Sequence, residues 1–247
     1  MKAIKGITIN GALHTARDLD MILRSSASTA ANPAPKRLTE SIPGRHGLFD
    51  YSDWFDGVIF YDDREISYAF FFGGTPAAVR ETVDALTRFH GQRITVVEDA
   101  DPEYSITGWA TVAVSERAPL GNYVYLTLTL EAEAFRRRLE PTVRRFPDIE
   151  GVSVYDLHNG DMPTPLTVTV HSMTPSFGTA ALRVSVLSSR YSEIIRTTGT
   201  AVTIDSFLLK GGAQHIKFET GAYAGYHWVS DSRGTADVTV SYTEGKF

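Results

Sequence analysis

The segment Tyr123 to Ala132 constrains the fold of this chain more than any other. Val124, Leu126, Leu128, Leu130 and Ala132 alternate with Tyr123, Tyr125, Thr127, Thr129 and Glu131. An extended backbone therefore puts every apolar side chain on one face and every polar or amphipathic one on the other. The β-branched and aromatic residues suit such a pleated, half-buried surface. The same alternation recurs at Ala110/Val112/Val114, Leu166/Val168/Val170, Leu182/Val184/Val186, Val202/Ile204 and Ala236/Val238/Val240, with Gly, Pro, Asn or Asp between the runs. The chain reads as mainly β.

One helix interrupts the strands. Thr75 can cap it, Pro76 suits its first position and Gly91 follows its last turn, so the expected span is Pro76 to His90. Val79, Val83 and Leu86 form one apolar stripe, which should lie on a sheet. Upstream, Val58 to Tyr61 and Glu65 to Phe72 flank Asp62-Asp63-Arg64, which reads as a hairpin connection. The consecutive Phe70, Phe71 and Phe72 face opposite sides of a strand, so both faces need a cover. Arg93 to Glu98 reads as the next strand. Between Phe135 and Gly151 the alternation dissolves into arginines punctuated by Pro141 and Pro147. These features divide the chain into an α+β domain with one helix over 1–135, a linker over 136–151 and a β-sandwich over 152–247. A length of 247 residues is enough for two separate cores.

Composition narrows the function. A net charge of -5 gives no basic footprint for nucleic acid or an acidic membrane surface, so neither is an expected partner. The absence of cysteine excludes a disulfide framework and any thiolate metal site. Met1 to Ile9 lacks the apolar stretch of a signal peptide. No segment approaches the roughly twenty apolar residues of a membrane helix.

A search for chemistry finds little. No two of the seven histidines stand at metal-ligand spacing on the helix, where His90 is the only one. No Gly-x-Ser-x-Gly elbow occurs. Asp50/Asp53/Asp56 and Glu98/Asp99/Asp101 fit turn carboxylates, a calcium site or a glycosidase pair, and none has the full spacing of an ion-binding loop. Gly73-Gly74 and Gly211-Gly212 lack the context of a phosphate cradle and read as turns. The basic run Arg136 to Arg145 is a solvated linker or a docking segment for an acidic neighbour. Trp54, Trp109 and Trp228 are core residues or a sugar-binding face. Tyr223, Tyr226 and Trp228 are the candidates for stacking on a glycan. No residue is assigned a catalytic, metal-binding or cofactor-binding role, and no cofactor is expected.

The most unusual local string is Ile42-Pro43-Gly44-Arg45-His46-Gly47-Leu48-Phe49-Asp50. Pro43 fixes one dihedral and two glycines open conformations closed to other residues, so a specific tight turn is required. This string resembles the Pro-Gly-Arg-x-Gly signature of the distal tail protein (Dit) family of long, flexible-tailed bacteriophages. Asn10 to Ile22 resembles that family's opening segment. Tyr61-Asp62-Asp63-Arg64-Glu65-Ile66 matches its Tyr-x-x-Arg before a long aromatic strand, and Tyr104-Ser105-Ile106-Thr107-Gly108 follows the helix. His158 to Leu166 and Val202-Thr203-Ile204-Asp205-Ser206 resemble the entry to its C-terminal domain and an inner strand. The resemblance thus runs over nearly the whole chain. His46 departs from it, standing where the family commonly has an acidic residue.

The resemblance implies a non-enzymatic virion protein at the distal tip of the tail, made in the bacterial cytoplasm. The N-terminal half would be a belt domain assembling into a homo-hexameric ring that continues the tail-tube channel, and the C-terminal half a galectin-like β-sandwich. Partners would be the tail tube protein and the tail-tip, lysin or receptor-binding proteins, with DNA only passing through. Ile42, Pro43, Gly44, Arg45, His46 and Gly47 are the candidate ring-interface loop. A glycan-binding adhesion module is the alternative function.

Overall fold

The computed structural model describes residues 5–25, 28–37, 39–43, 46, 48–50, 59–158, 160–187, 192–209, 213–224 and 226–247. The first half of the chain runs β1 (Ile7–Ile9), β2 (Leu13–His14), α1 (Thr15–Leu19), β3 (Ile22–Leu23), β4 (Thr29–Ala30), β5 (Thr39–Ser41), β6 (Leu48–Asp50), β7 (Arg64–Gly73), α2 (Pro76–Thr87), β8 (Arg93–Glu98), β9 (Tyr104–Arg117), β10 (Tyr123–Ala132) and β11 (Arg136–Arg138). The second runs β12 (Thr142–Glu150), β13 (Val152–His158), β14 (Thr164–Thr174), β15 (Thr179–Val186), β16 (Ser192–Ile195), β17 (Ala201–Leu209), β18 (Ala213–Ala224), β19 (His227–Ser230), β20 (Thr235–Tyr242) and β21 (Gly245–Lys246).

Packing divides these elements into two units. One takes Met1–Lys36, Phe60–Leu139 and Phe247, and the other takes Arg37–Ile59 and Glu140–Lys246. The β5–β6 segment thus groups with the second unit, although the sequence placed all of 1–135 in the first. Its strands are three residues each and the side chains of β5 are exposed, so no alternating stripe marked its allegiance.

In the first unit the sheet order is β2-β1-β8-β9-β10-β7-β3, with β4 also on β7 and β11 also on β9. The alternation of Tyr123 to Ala132 becomes β10, paired with β7 on one side and β9 on the other. Val124, Leu126, Leu128, Leu130 and Ala132 are all fully buried on one face. Onto that core α2 lays Val79, Val83 and Leu86. Burying a leucine such as Leu86 contributes roughly 1.5–3 kcal/mol. The Thr75 hydroxyl accepts the Ala78 N–H at 3.2 Å, and Pro76 opens the first turn. The helix stops at Thr87, three residues short of the expected end, and a turn leads to Gly91 at φ +73°. Residues 88–91 are drawn off because Gly91 N–H bonds the Ala110 carbonyl and the His90 ring accepts the Val112 N–H. Phe70 and Phe72 are core residues, while Phe71 lies on the other face, 5.2 Å from Tyr125 and 6.3 Å from Tyr123 between ring centres.

The second unit is a sandwich. One sheet has the order β12-β20-β14-β17 and the other β13-β18-β15-β16, with β19 added on β18. Leu166, Val168, Val170, Val238 and Val240 from the first meet Leu182, Val184, Val186, Ile216 and Phe218 from the second in one core. This is the period-2 inner face of a β-sandwich.

Three further features differ from the sequence reading. A second helix, α1, is present. Its cap is the His14 ring, which accepts the Arg17 N–H, and not one of the usual capping residues. The hairpin expected around Asp62-Asp63-Arg64 does not form among the described residues. Tyr61 bridges to Pro35 and its ring packs on Phe135 and Phe247, while β7 pairs with β10, β3 and β4. Residues 136–151, expected as a linker, are mostly strand: β11 pairs with β9, and β12 with β20. Only Phe146 and Ile149 of β12 are buried, because Pro147 and Asp148 interrupt its register between them. Proline and charge on a sheet's edge strand are tolerated there and hide the alternation.

Candidate functional site

The candidate interface loop is the tip of a hairpin. β5 and β6 pair through Thr39↔Asp50, Glu40↔Phe49 and Ser41↔Leu48, so residues 42–47 connect two antiparallel neighbours. Ile42, Pro43 and His46 are exposed; Gly44, Arg45 and Gly47 lie outside the described residues.

The glycan-stacking candidates are brought together in part. Tyr223 of β18 stands opposite Trp228 of β19, their rings edge to face at 6.0 Å. Tyr226 sits on the connecting turn and is 99% exposed. The Arg183 guanidinium lies 4.6 Å over the Trp228 ring and that of Arg196 3.8 Å over Tyr223. The indole also covers Gly221, where any Cβ would overlap its six-membered ring. Both paired rings are therefore engaged within the protein, and Tyr226 is the most exposed of the three.

The carboxylates of the first unit act as structural anchors. Glu98 accepts the Tyr68 hydroxyl at 2.7 Å and two Arg136 N–H groups at 2.9 and 2.8 Å. Burial and the adjacent Glu98 push the Tyr68 hydroxyl well above its ordinary pKa, so it remains a donor. Asp99 accepts the Gly6 N–H at 2.6 Å and bonds His14 at 3.0 Å. Asp101 lies 3.8 Å from Arg136. Asp53, Asp56 and Trp54 lie outside the described residues, as do Gly211 and Gly212, and only the backbone of Asp50 is described. Among the described residues no group of three or more His, Asp or Glu is placed to hold a metal ion.

The basic run divides between the units. Arg136 holds Glu98, Arg137 pairs with Glu133 at 2.9 Å and Arg138 lies 3.7 Å from Glu103. Arg145 pairs with Asp237, and Arg144 donates to the Asp156 carbonyl. Four of these arginines thus meet a carboxylate of their own unit, and for Arg136, Arg138 and Arg145 that carboxylate is distant in the chain, a pairing that sequence spacing does not reveal. A cavity of about 300 Å³ borders the Glu98 cluster, with Leu23, Ser28, Ile66 and Tyr68 in its wall. Arg64, two places along β7 from Ile66, is 6% exposed, and its Nε and Nη2 have no partner among the described residues. Burial, and then Arg136, lower its pKa.

No family model matches the sequence, and no curated protein matches it. Among solved structures, the chain is similar to that described as "SPP1 Dit (gp 19.1) Protein, a Paradigm of Hub Adsorption Apparatus in Gram-positive Infecting Phages". The TM-score is 0.53 at 12% identity, over 98% of this chain and 99% of that one. A structure of the infectious bursal disease virus Gx strain aligns at a TM-score of only 0.24 and 11% identity, over 97% of this chain and 67% of that one, and carries no argument. The chain therefore has a fold like that of Dit, from one end to the other.

Proposed function

We propose that this chain is a structural subunit of a phage tail, a ring-forming hub at its distal end. The observation that carries this reading is the end-to-end fold likeness to a hub protein of an adsorption apparatus, at 98% and 99% coverage. Coverage of both chains matters because a likeness confined to one sandwich would be shared with many unrelated proteins. The ordered motifs around Pro43, Tyr61 and Tyr104 support the same assignment independently of the coordinates.

On this reading six copies close a ring through heterologous contacts, in which one surface of each subunit meets a different surface of the next. The first unit forms the belt around a channel continuing the tail tube, and the second is the galectin-like, outward-facing domain. The tube protein binds one side of the ring and the tail-tip proteins the other. The role is geometric and needs no reacting group. Immunogold labelling of phage particles with antibody against the purified chain tests the placement. Label confined to the tail tip is expected, and label on the capsid or along the shaft would overturn it.

A further inference from the structure

The ring reading assigns no task to the cavity of about 300 Å³ in the first unit. In the sheet, β10 and β9 stand between β7 and β8, yet Tyr68 of β7 bonds Glu98 of β8, so the sheet curls until its two ends approach. The cavity lies between those ends. Lys5 and Gly6, which lead into β1, line it on one side, and Ser25, Thr29 and Ala30 line it on the other. Leu23, Ile66 and Ala100 make part of its wall apolar. The Lys5 ammonium and the Ser25 and Thr29 hydroxyls have no partner among the described residues, and all three residues are exposed.

The charges around this space do not balance. Both oxygens of Glu98 accept from Arg136, and one also accepts the Tyr68 hydroxyl. Asp101 lies 3.8 Å from the same arginine. Asp99 is taken up by the Gly6 N–H and the His14 ring. Arg64 has no such partner. It shares a face of β7 with Ile66 and Tyr68, which both line the cavity, because residues two apart on a strand point the same way. Its Nε and Nη2 are buried and unpaired among the described residues, and it lies within electrostatic reach of Tyr68, Glu98 and Arg136. Three cations, Lys5, Arg64 and Arg136, thus stand against Glu98 and Asp101. A guanidinium held away from water with nothing opposite it attracts an anion strongly, since little solvent screens it.

We infer that this cavity binds one small oxyanion of the phosphate class, gripped at its mouth by Lys5, Ser25 and Thr29 and drawn in by the buried charge of Arg64. Such an anion has enough acceptor oxygens to take all three free donors at once, and charge-assisted bonds of this kind are the strong ones. Bound there, it ties the β4 side of the sheet to the segment entering β1. The inference stands independently of the ring reading.

The test is equilibrium dialysis of the purified chain against radiolabelled inorganic phosphate at constant ionic strength, with calorimetric melting in phosphate and in chloride. The wild type is expected to bind one phosphate per chain and to melt higher in phosphate, because a ligand of the folded state stabilises it. Arg64→Met, which removes the charge and keeps an apolar stem, should bind at least about tenfold more weakly, while Arg64→Lys, which keeps the charge, should stay closer to the wild type. Absence of saturable binding by the wild type overturns the site. Equal binding by wild type and Arg64→Met marks an adventitious ion only and overturns it as well, as does equal loss in folded Arg64→Met and Arg64→Lys. If the Arg64 variants fail to fold, Lys5→Ala decides, and unchanged phosphate binding there is the contrary result. Phosphate that breaks up assemblies without binding single subunits would mean that a carboxylate of a second copy fills the cavity, and overturns the free anion.

Discussion

Gly221 and Asp231 show how single residues hold the outer face of the second unit. Gly221 leaves room for the Trp228 indole to lie on the sheet, where it meets Arg183. Gly221→Val should force the ring off and destabilise the unit by about 1–3 kcal/mol, as overpacking does. Urea unfolding followed by Trp228 fluorescence checks this, and an unchanged midpoint would contradict it. Asp231 is buried at 2% exposure and accepts the Ser176 hydroxyl, the Ser176 N–H at 2.6 Å and the Arg233 N–H at 3.1 Å. The Ser176 bonds hold its carboxyl below the ordinary 3.8. A depressed folded pKa contributes stability that is present above 3.8 and is lost as pH falls through the lower folded value. Asp231→Asn should therefore melt below the wild type near neutral pH, and calorimetry should find the gap closing as pH drops under 3.8. A gap that persists unchanged in strong acid would show that the charge is not what matters.

At the scale of elements, what the sequence disclosed and what it hid divide along physical lines. β10 and the apolar stripe of α2 were legible because each element buries one face and the side-chain period reports it. β12 was not, because as an edge strand it buries only Phe146 and Ile149 around a bulge and fills the rest with charge. α1 was hidden by its five-residue length and its histidine cap. That β9 runs on beyond its pairing with β8 could not be read at all, since it depends on where β8 stops. Pairing of β5 with β6 places the Pro43 segment between two antiparallel strands, a partnership that no alternation in the sequence announced. Leu86→Ala should cost about 2–5 kcal/mol and lower the melting of the first unit without moving that of the second. Valine at Gly44 and Gly47 together should impair the turn while leaving the sandwich folded, and native electrophoresis should then show loss of rings. Normal rings from that double variant would remove the loop from the interface.

At the scale of the whole molecule, the chain has two separate cores and a fold like that of Dit over the full length. On the function proposed above, heterologous assembly would make the ring the functional object and the loop tip one of its working parts. The most direct test is negative-stain electron microscopy of the purified chain, with mass photometry to count subunits. The account predicts ring-shaped particles of six copies with an open central channel. Particles of one subunit at every concentration, or assemblies without a channel, would contradict it.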